Sequence, residues 1–506
     1  MDPLLSAGVA AATIVLLFAY LFRLNNIISQ TPDEIAKLSP TRWTSAQLRE
    51  TYRKLESNPM TTKSYAHRIP PKLERRYIVT GGSGLVGGYI VLQLLERGQP
   101  PESIRIVDFR PLNRRDMIGS PAATVDFVQT DISSEVSTER AFSKSWHPSV
   151  AHLPLTVFHT AAVIVPSERS KLVYGFCESV NVSGTQHVVE AAQRAGADVF
   201  ISTTSGSISI RRIEFWPAPW RLLAKSGWRP KNFSQVLDEA DFFKPIRAHD
   251  DFYANYPASK ASAERIVCAA NADGFRTGCI RPANGVYGNP TDNTVGGPLN
   301  RGDLPTWVSH VIQSFVHGIN AAIAHLHFEA VLARPGCSAS APQAGRPFVV
   351  TDPNPPITYG DLYYAIKTLA VTHFRTITIP PVIILLVCHV IEWYTLLRVK
   401  YPVFCTMLPP ITGDAKFLEP GLMDICTHLV ASNAAVGRTV EAGGLAYTGV
   451  VTTLEGMVQE VMEWNHEHEE ADAKGTKVAY HVSISLPEQL QKAGAGMASL
   501  RAAGSS

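Results

Sequence analysis

Thr80-Gly81-Gly82-Ser83-Gly84-Leu85-Val86-Gly87 decides how this chain folds. The apolar run Tyr77-Ile78-Val79-Thr80 leads into it. A helical pattern with Ile90, Val91, Leu94 and Leu95 on one face leaves it, until Gly98 and Pro100 stop the helix. A strand that turns through glycines into a helix is the first unit of a dinucleotide-binding fold. Gly81 suits the tight turn, Gly84 lets the backbone approach a pyrophosphate, and Gly87 lets helix and sheet pack closely. Phosphates then meet the positive start of the helix at Leu85 and Val86, where unpaired N–H groups point outward.

Further short β-type runs follow downstream at residues 104–108, 125–128, 157–160 and 199–202, with helical stretches between them. That alternation predicts an α/β fold with a doubly wound parallel sheet. Asp108 ends the second run, 21 residues after Gly87. A carboxylate there accepts hydrogen bonds from adenosine ribose hydroxyls and repels a 2′-phosphate, which favours NAD over NADP. Arg110 pulls the other way, since a guanidinium pairs with phosphate. Asp131 and Ile132, after the third run, are placed to meet the adenine; helix capping is the other reading of Asp131.

About 170 residues beyond the glycines stands Tyr256-Pro257-Ala258-Ser259-Lys260. Positions i and i+4 share a helix face, so Tyr256 and Lys260 can point at one place. A tyrosine with its ordinary pKa of about 10 is a poor base near neutrality. A neighbouring ammonium favours the phenolate, so the pair suits removal of an alcohol proton during hydride transfer. Thr203, Thr204 and Ser205, after the fifth run, offer a hydroxyl to orient the substrate oxygen.

The remaining composition narrows the class. With 46 basic and 44 acidic residues and no basic run, the chain lacks the footprint of a nucleic-acid binder. Seven scattered cysteines without C-x-x-C spacing fit a reducing compartment and argue against disulfides and structural zinc, and no metal is expected. Residues 4–22 carry no charge and nearly match a bilayer core, while Arg23, Lys37, Arg42 and Arg49 follow. A single N-terminal membrane anchor with the body on the cytosolic side is expected rather than a cleaved signal peptide. The expected order is an anchor over 1–24, a stalk over 25–74, and a dinucleotide-binding domain over 75–290. A substrate-binding region follows over 291–470, then a tail over 471–506 whose end is disordered. Two stretches break the β/α rhythm. One, residues 213–252, holds Trp216, Trp220 and Trp228, suited to a membrane interface. The other, 380–397, is very apolar and suits a helix lying in the interface or a lid.

These motifs resemble the extended short-chain dehydrogenase/reductases, and within them the 3β-hydroxysteroid dehydrogenase/isomerase family, including sterol-4α-carboxylate 3-dehydrogenases. The likeness runs from Tyr77 to Trp464 through TGGSGLVG, VDFRP, FHTAA, VNVSGT, YPASK and RPANGVYG. It implies Tyr256 as base, Lys260 as its partner and Ser205 as the substrate-orienting hydroxyl, with Thr204 the adjacent alternative and Asn181 a supporting residue. It also implies that Thr160, Ala161, Ala162 and Pro282 flank the cofactor together with Tyr256 and Lys260. FISTTSGS is threonine-rich where the family usually carries paired serines. The implied activity is NAD-dependent oxidation of the 3β-hydroxyl of a sterol, steroid or triterpenoid, with decarboxylation where a 4α-carboxylate is present. The implied site of action is the endoplasmic reticulum membrane. An NADPH-dependent ketone reductase and a nucleotide-sugar epimerase or dehydratase share these motifs and are the alternatives. A homodimer, or association with other sterol-pathway enzymes, is left open.

Overall fold

The computed structural model describes residues 3–223, 228–476, 478 and 480; the expected disordered tail end lies outside the described residues. Seven strands form one parallel sheet: β1 (Arg76–Thr80), β2 (Ile104–Asp108), β3 (Asp126–Gln129), β4 (Leu155–His159), β5 (Ala197–Thr203), β6 (Arg276–Pro282) and β7 (Pro347–Val350). Their spatial order is 7-6-5-4-1-2-3, and every pairing is parallel. The chain winds outward from β1 in both directions, so a crevice opens at the carboxyl ends of β1 and β4. Thr80 stands opposite both Val107 and His159 there. Both faces of the sheet are buried, which is why its strands are near-continuous apolar runs instead of alternating ones. One layer packs Val79, Ile106, Phe158 and Ile201 against the helices Leu85–Glu96 (α2) and Gly318–Leu332. The other packs Ile78, Val107, Val157 and Phe200 against Val188, Val189 and Val267.

A second sheet is assembled from distant pieces: residues 357–358, 312–313, 428–431 and 234–237, in that spatial order. The tryptophan-bearing stretch therefore contributes an edge strand to the region expected only beyond residue 291. Residues 25–74, expected as a stalk, wrap onto the body. The helix Ser45–Ser57 buries Leu48 and Leu55 against Val458 and Met462 of the long helix Thr453–Ala473. Met60 and Gln459 exchange hydrogen bonds of 2.7 and 2.6 Å. Leu48 and Leu55, seven apart, supply the apolar stripe that a free stalk does not need.

Helix α1 (Pro3–Ile28) and a helix at Pro381–Lys400 are both long and apolar enough to cross a membrane. The first half of α1 stands exposed, from Val9 to Phe18. Its last turns bury Leu24 and Ile28 against Val382 and Leu385 of the second helix.

Candidate active site

Gly81 takes a φ of +72°, and its amide donates to Val107 O at 2.8 Å. A Cβ there would lie 2.6 Å from Ala161 N, and one at Gly87 would lie 2.3 Å from Gly81 O. Only glycine fits either place. Thr160 locks the turn by donating its hydroxyl to Thr80 O at 2.7 Å, and Ala161 and Ala162 continue half-buried along the crevice. Helix α2 starts at Leu85 behind Gly84, which has no side chain to cap it, so the first-turn N–H groups are left for a ligand oxygen. Leu85 and Val86 are half-buried at this start.

Asp108 ends β2 half-buried. Its carboxylate accepts from Ser83 N and Arg110 N, each at 3.0 Å, and so braces the glycine turn from the adjoining strand. Burial pushes its pKa up, while those N–H donors and the Arg110 guanidinium pull it down. Asp131 is drawn into a local turn, where Oδ1 accepts from Ser133 N and Oγ at 2.9 and 2.7 Å. The cap of the following helix is Ser134 instead. Ile132 is buried beneath Gly184.

Tyr256 and Lys260 lie on the helix Asn255–Ala269 (α3), packed beside β5 and β6. Tyr256 is half-buried; Lys260 is buried, and its Nζ donates to Thr203 O at 2.8 Å. Ser205, half-buried just past β5, stands close enough to the Tyr256 phenol to lower its pKa, and its Oγ meets Ser207 Oγ at 2.8 Å. Ser207 in turn lies beside the buried Tyr253, whose phenol it pulls down. Thr204 faces elsewhere: its hydroxyl donates to Glu264 Oε2 at 2.9 Å, and Thr203 Oγ1 meets His325 Nε2 at 2.8 Å. Of the three hydroxyls after β5, Ser205 is the one on the tyrosine.

Asn181 is buried in a π-helical turn, Glu178–Ser183. Its Oδ1 accepts from Val163 N at 2.9 Å, and Nδ2 donates to Val163 O and Ser259 Oγ at 3.0 and 2.9 Å. It thereby ties the segment leaving β4 to α3. Pro282 ends β6, where a Cβ on Gly206 would meet its carbonyl at 2.9 Å. A supporting network was missed at the level of sequence. Arg281 is fully buried and pairs with Glu264 at 2.6 and 2.8 Å and with Asp241 at 2.7 Å. Glu264 lies four residues after Lys260, and that helical spacing was the available signal.

Burial pushes the Tyr256 phenol up to about 12, against the pull of the Ser205 hydroxyl. It pushes the Lys260 ammonium down to about 8. Among the described residues no group of three or more His, Cys, Asp or Glu side chains is arranged to hold a metal ion.

Residues 78–211 match the 3-beta hydroxysteroid dehydrogenase/isomerase family, and residues 148–317 match the male sterility protein family, an NAD-binding one. Together the two matches run over residues 78–317, and the likeness is to NAD-binding and 3-beta hydroxysteroid dehydrogenase/isomerase sequences. Relatives of this chain include a Mycobacterium tuberculosis 3 beta-hydroxysteroid dehydrogenase/Delta 5-->4-isomerase, 27% identical over 50% of this chain and 60% of the relative. The Arabidopsis thaliana 3beta-hydroxysteroid-dehydrogenase/decarboxylase isoform 2 is 23% identical over 78% of this chain and 62% of the relative. The Schizosaccharomyces pombe sterol-4-alpha-carboxylate 3-dehydrogenase, decarboxylating, is 27% identical over 54% and 68%. The chain thus spans about three fifths of the length of the first of these relatives. Among solved structures, a Thermotoga maritima UDP-glucose 4-epimerase superposes with a TM-score of 0.48 at 16% identity, over 78% of this chain and 99% of that one.

Proposed function

We propose that the protein oxidises a ring secondary alcohol with NAD, taking the 3β-hydroxyl of a sterol, steroid or triterpenoid to the 3-ketone. The observation that carries this reading is the meeting of Tyr256, Lys260 and Ser205 beside a glycine-turn crevice shaped for a dinucleotide. The 3β-hydroxysteroid relatives support the substrate class. Gly81, Gly84 and Gly87 with the start of α2 would hold the pyrophosphate, and Asp108 the adenosine ribose. When bound, the nicotinamide accepts the hydride, and its positive ring favours the phenolate.

Tyr256 takes the proton of the substrate hydroxyl, and Ser205 Oγ holds the substrate oxygen toward it. Within the protein's own charges, burial works against both the phenolate and the ammonium, and the positive nicotinamide ring would work the other way. A substrate with a neighbouring 4α-carboxylate becomes a β-keto acid. It loses carbon dioxide because the ketone accepts the electron pair, and so needs no further catalytic group. Two relatives whose names include decarboxylation support this step.

Asp108 supports NAD; the adjacent Arg110 supports an NADPH-dependent reductase as the second reading. Helix α1 anchors the protein in the endoplasmic reticulum membrane with its body in the cytosol, where a membrane-dissolved sterol is within reach. The test is incubation of membrane-embedded protein with NAD or NADP and 3β-hydroxysterols with and without a 4-carboxyl group. Mass spectrometry should show 3-ketones formed with NAD, with loss of carbon dioxide from the carboxylated members. A panel returned wholly unchanged with both cofactors would defeat the proposal.

A further inference from the structure

The helix Pro381–Lys400 (α4) packs against the two chain segments that follow β4 and β5. On one side it packs against residues 171–173, and Val382, Leu385 and Cys388 share a buried cluster with Ile213 and Phe215. Its outward stripe, Ile383, Val390 and Trp393, is exposed and apolar. Two polar contacts flank its buried apolar face. Trp216 Nε1 donates to His389 Nε2 at 3.0 Å, and Arg169 Nε and Nη2 donate to the two oxygens of Glu392 at 2.5 and 2.7 Å.

Arg169 sits between two residues that hold the start of the catalytic helix. Glu168 O accepts from Asn255 N at 2.7 Å, and Ser170 O accepts from Asn255 Nδ2 at 3.0 Å. Ser167 O accepts from Gly421 N at 3.2 Å on the same wall. Asn255 directly precedes Tyr256, so the route from α4 to the phenol is one ion pair, two backbone carbonyls and one residue. A largely buried ion pair contributes little net stability compared with apolar side chains of similar size, but its forked geometry fixes position.

We propose that Arg169 and Glu392 form a latch through which α4, as the roof of the alcohol site, positions Tyr256 by way of Asn255. The inference rests on the alcohol-oxidising reading for its kinetic consequence. Arg169 and Glu392 are positioning residues and touch neither substrate nor cofactor.

The test uses the full chain in phosphatidylcholine vesicles, with Glu392→Gln, Arg169→Lys and the exchanged pair R169E/E392R. In Glu392→Gln, kcat for a 3β-hydroxysterol is expected to fall by roughly tenfold or more, within the ~100-fold that a small misplacement far from the chemistry costs. NAD affinity should stay within about threefold, because the dinucleotide crevice lies on other elements. Amide hydrogen exchange in the peptide spanning 254–262 should quicken, since the Asn255 N–H loses its fixed acceptor. Arg169→Lys keeps the charge without the fork and should fall between, and the exchanged pair should recover both readouts. Wild-type kcat and exchange in Glu392→Gln, or in Arg169→Lys should Glu392→Gln not fold, would overturn the latch. So would an exchanged pair that folds but stays at the level of the single variant. Should the wild type turn over no 3-hydroxysterol at all, the functional reading fails, and the exchange measurement alone still decides the latch.

Discussion

At the residue scale the site turns on one hydroxyl group and what surrounds it. Tyr256→Phe removes the proton acceptor of the proposed reaction and leaves the glycine crevice alone. Turnover should drop by about 10²–10⁴-fold, the range for a general base, with NAD binding by fluorescence titration nearly unchanged. The Ser205 hydroxyl lowers a phenol that burial raises to about 12. Ser205→Ala therefore removes a lowering influence, and the base limb of the pH–rate profile should move to higher pH. Thr204→Val should not move that limb, because its hydroxyl serves Glu264 and not the tyrosine. Reading FISTTSGS alone left Thr204 and Ser205 as neighbours of equal chemistry. Which of them turns toward Tyr256 is set by the geometry past the end of β5, and that has no signature in sequence.

At the scale of elements, the strand–glycine–helix unit was legible because its constraints are local. A turn with φ of +72° and a helix crossing at 2.3 Å from a hypothetical Cβ both demand glycine. Gly87→Ala should push α2 off the turn, costing about 1–3 kcal/mol and abolishing dinucleotide binding, as calorimetry can check. The long C-terminal helix carries a less visible constraint. Glu460 and Asp292 are both buried and face each other, since both accept from Gly288 N at 2.9 Å. Burial and the neighbouring carboxyl hold Glu460 well above its ordinary pKa. The folded chain thus keeps a proton that the unfolded chain releases from about 4.5 upward, and stability is lost as pH rises through that window. Glu460→Gln is neutral throughout, so its melting temperature relative to wild type should be higher at pH 8 than at pH 5.5. No local pattern in the sequence announces this pair, since 168 residues separate its members.

At the scale of the whole molecule, the last turns of the apolar first helix are built into the body. Leu24 and Ile28 are buried, Tyr20 donates to Pro217 O at 2.9 Å, and His310 Nε2 meets Ile28 O at 3.0 Å. The exposed Trp216, Trp220 and Trp393 lie on elements that pack around the same cluster. Removal of residues 3–18 should therefore leave residual binding to phosphatidylcholine vesicles in a flotation assay. Added serine substitutions at the three tryptophans should abolish it, as interfacial indoles predict. Full release by the truncation alone would show that the body makes no contact of its own.

The chain order of short β-runs, the glycine turn, the acidic end of β2 and the Tyr256/Lys260 pair were determined by sequence alone. Each rests on neighbours within about one helical turn or one strand, where backbone geometry and residue type are tightly linked. Three matters were decided only in three dimensions: the partners of the Thr203, Thr204 and Ser205 hydroxyls, the buried Arg281–Glu264–Asp241 network, and the wrapping of residues 25–74 around the body. They depend on side chains that meet across tens to hundreds of residues, and burial there changes what a hydroxyl, a carboxylate or a leucine stripe is for.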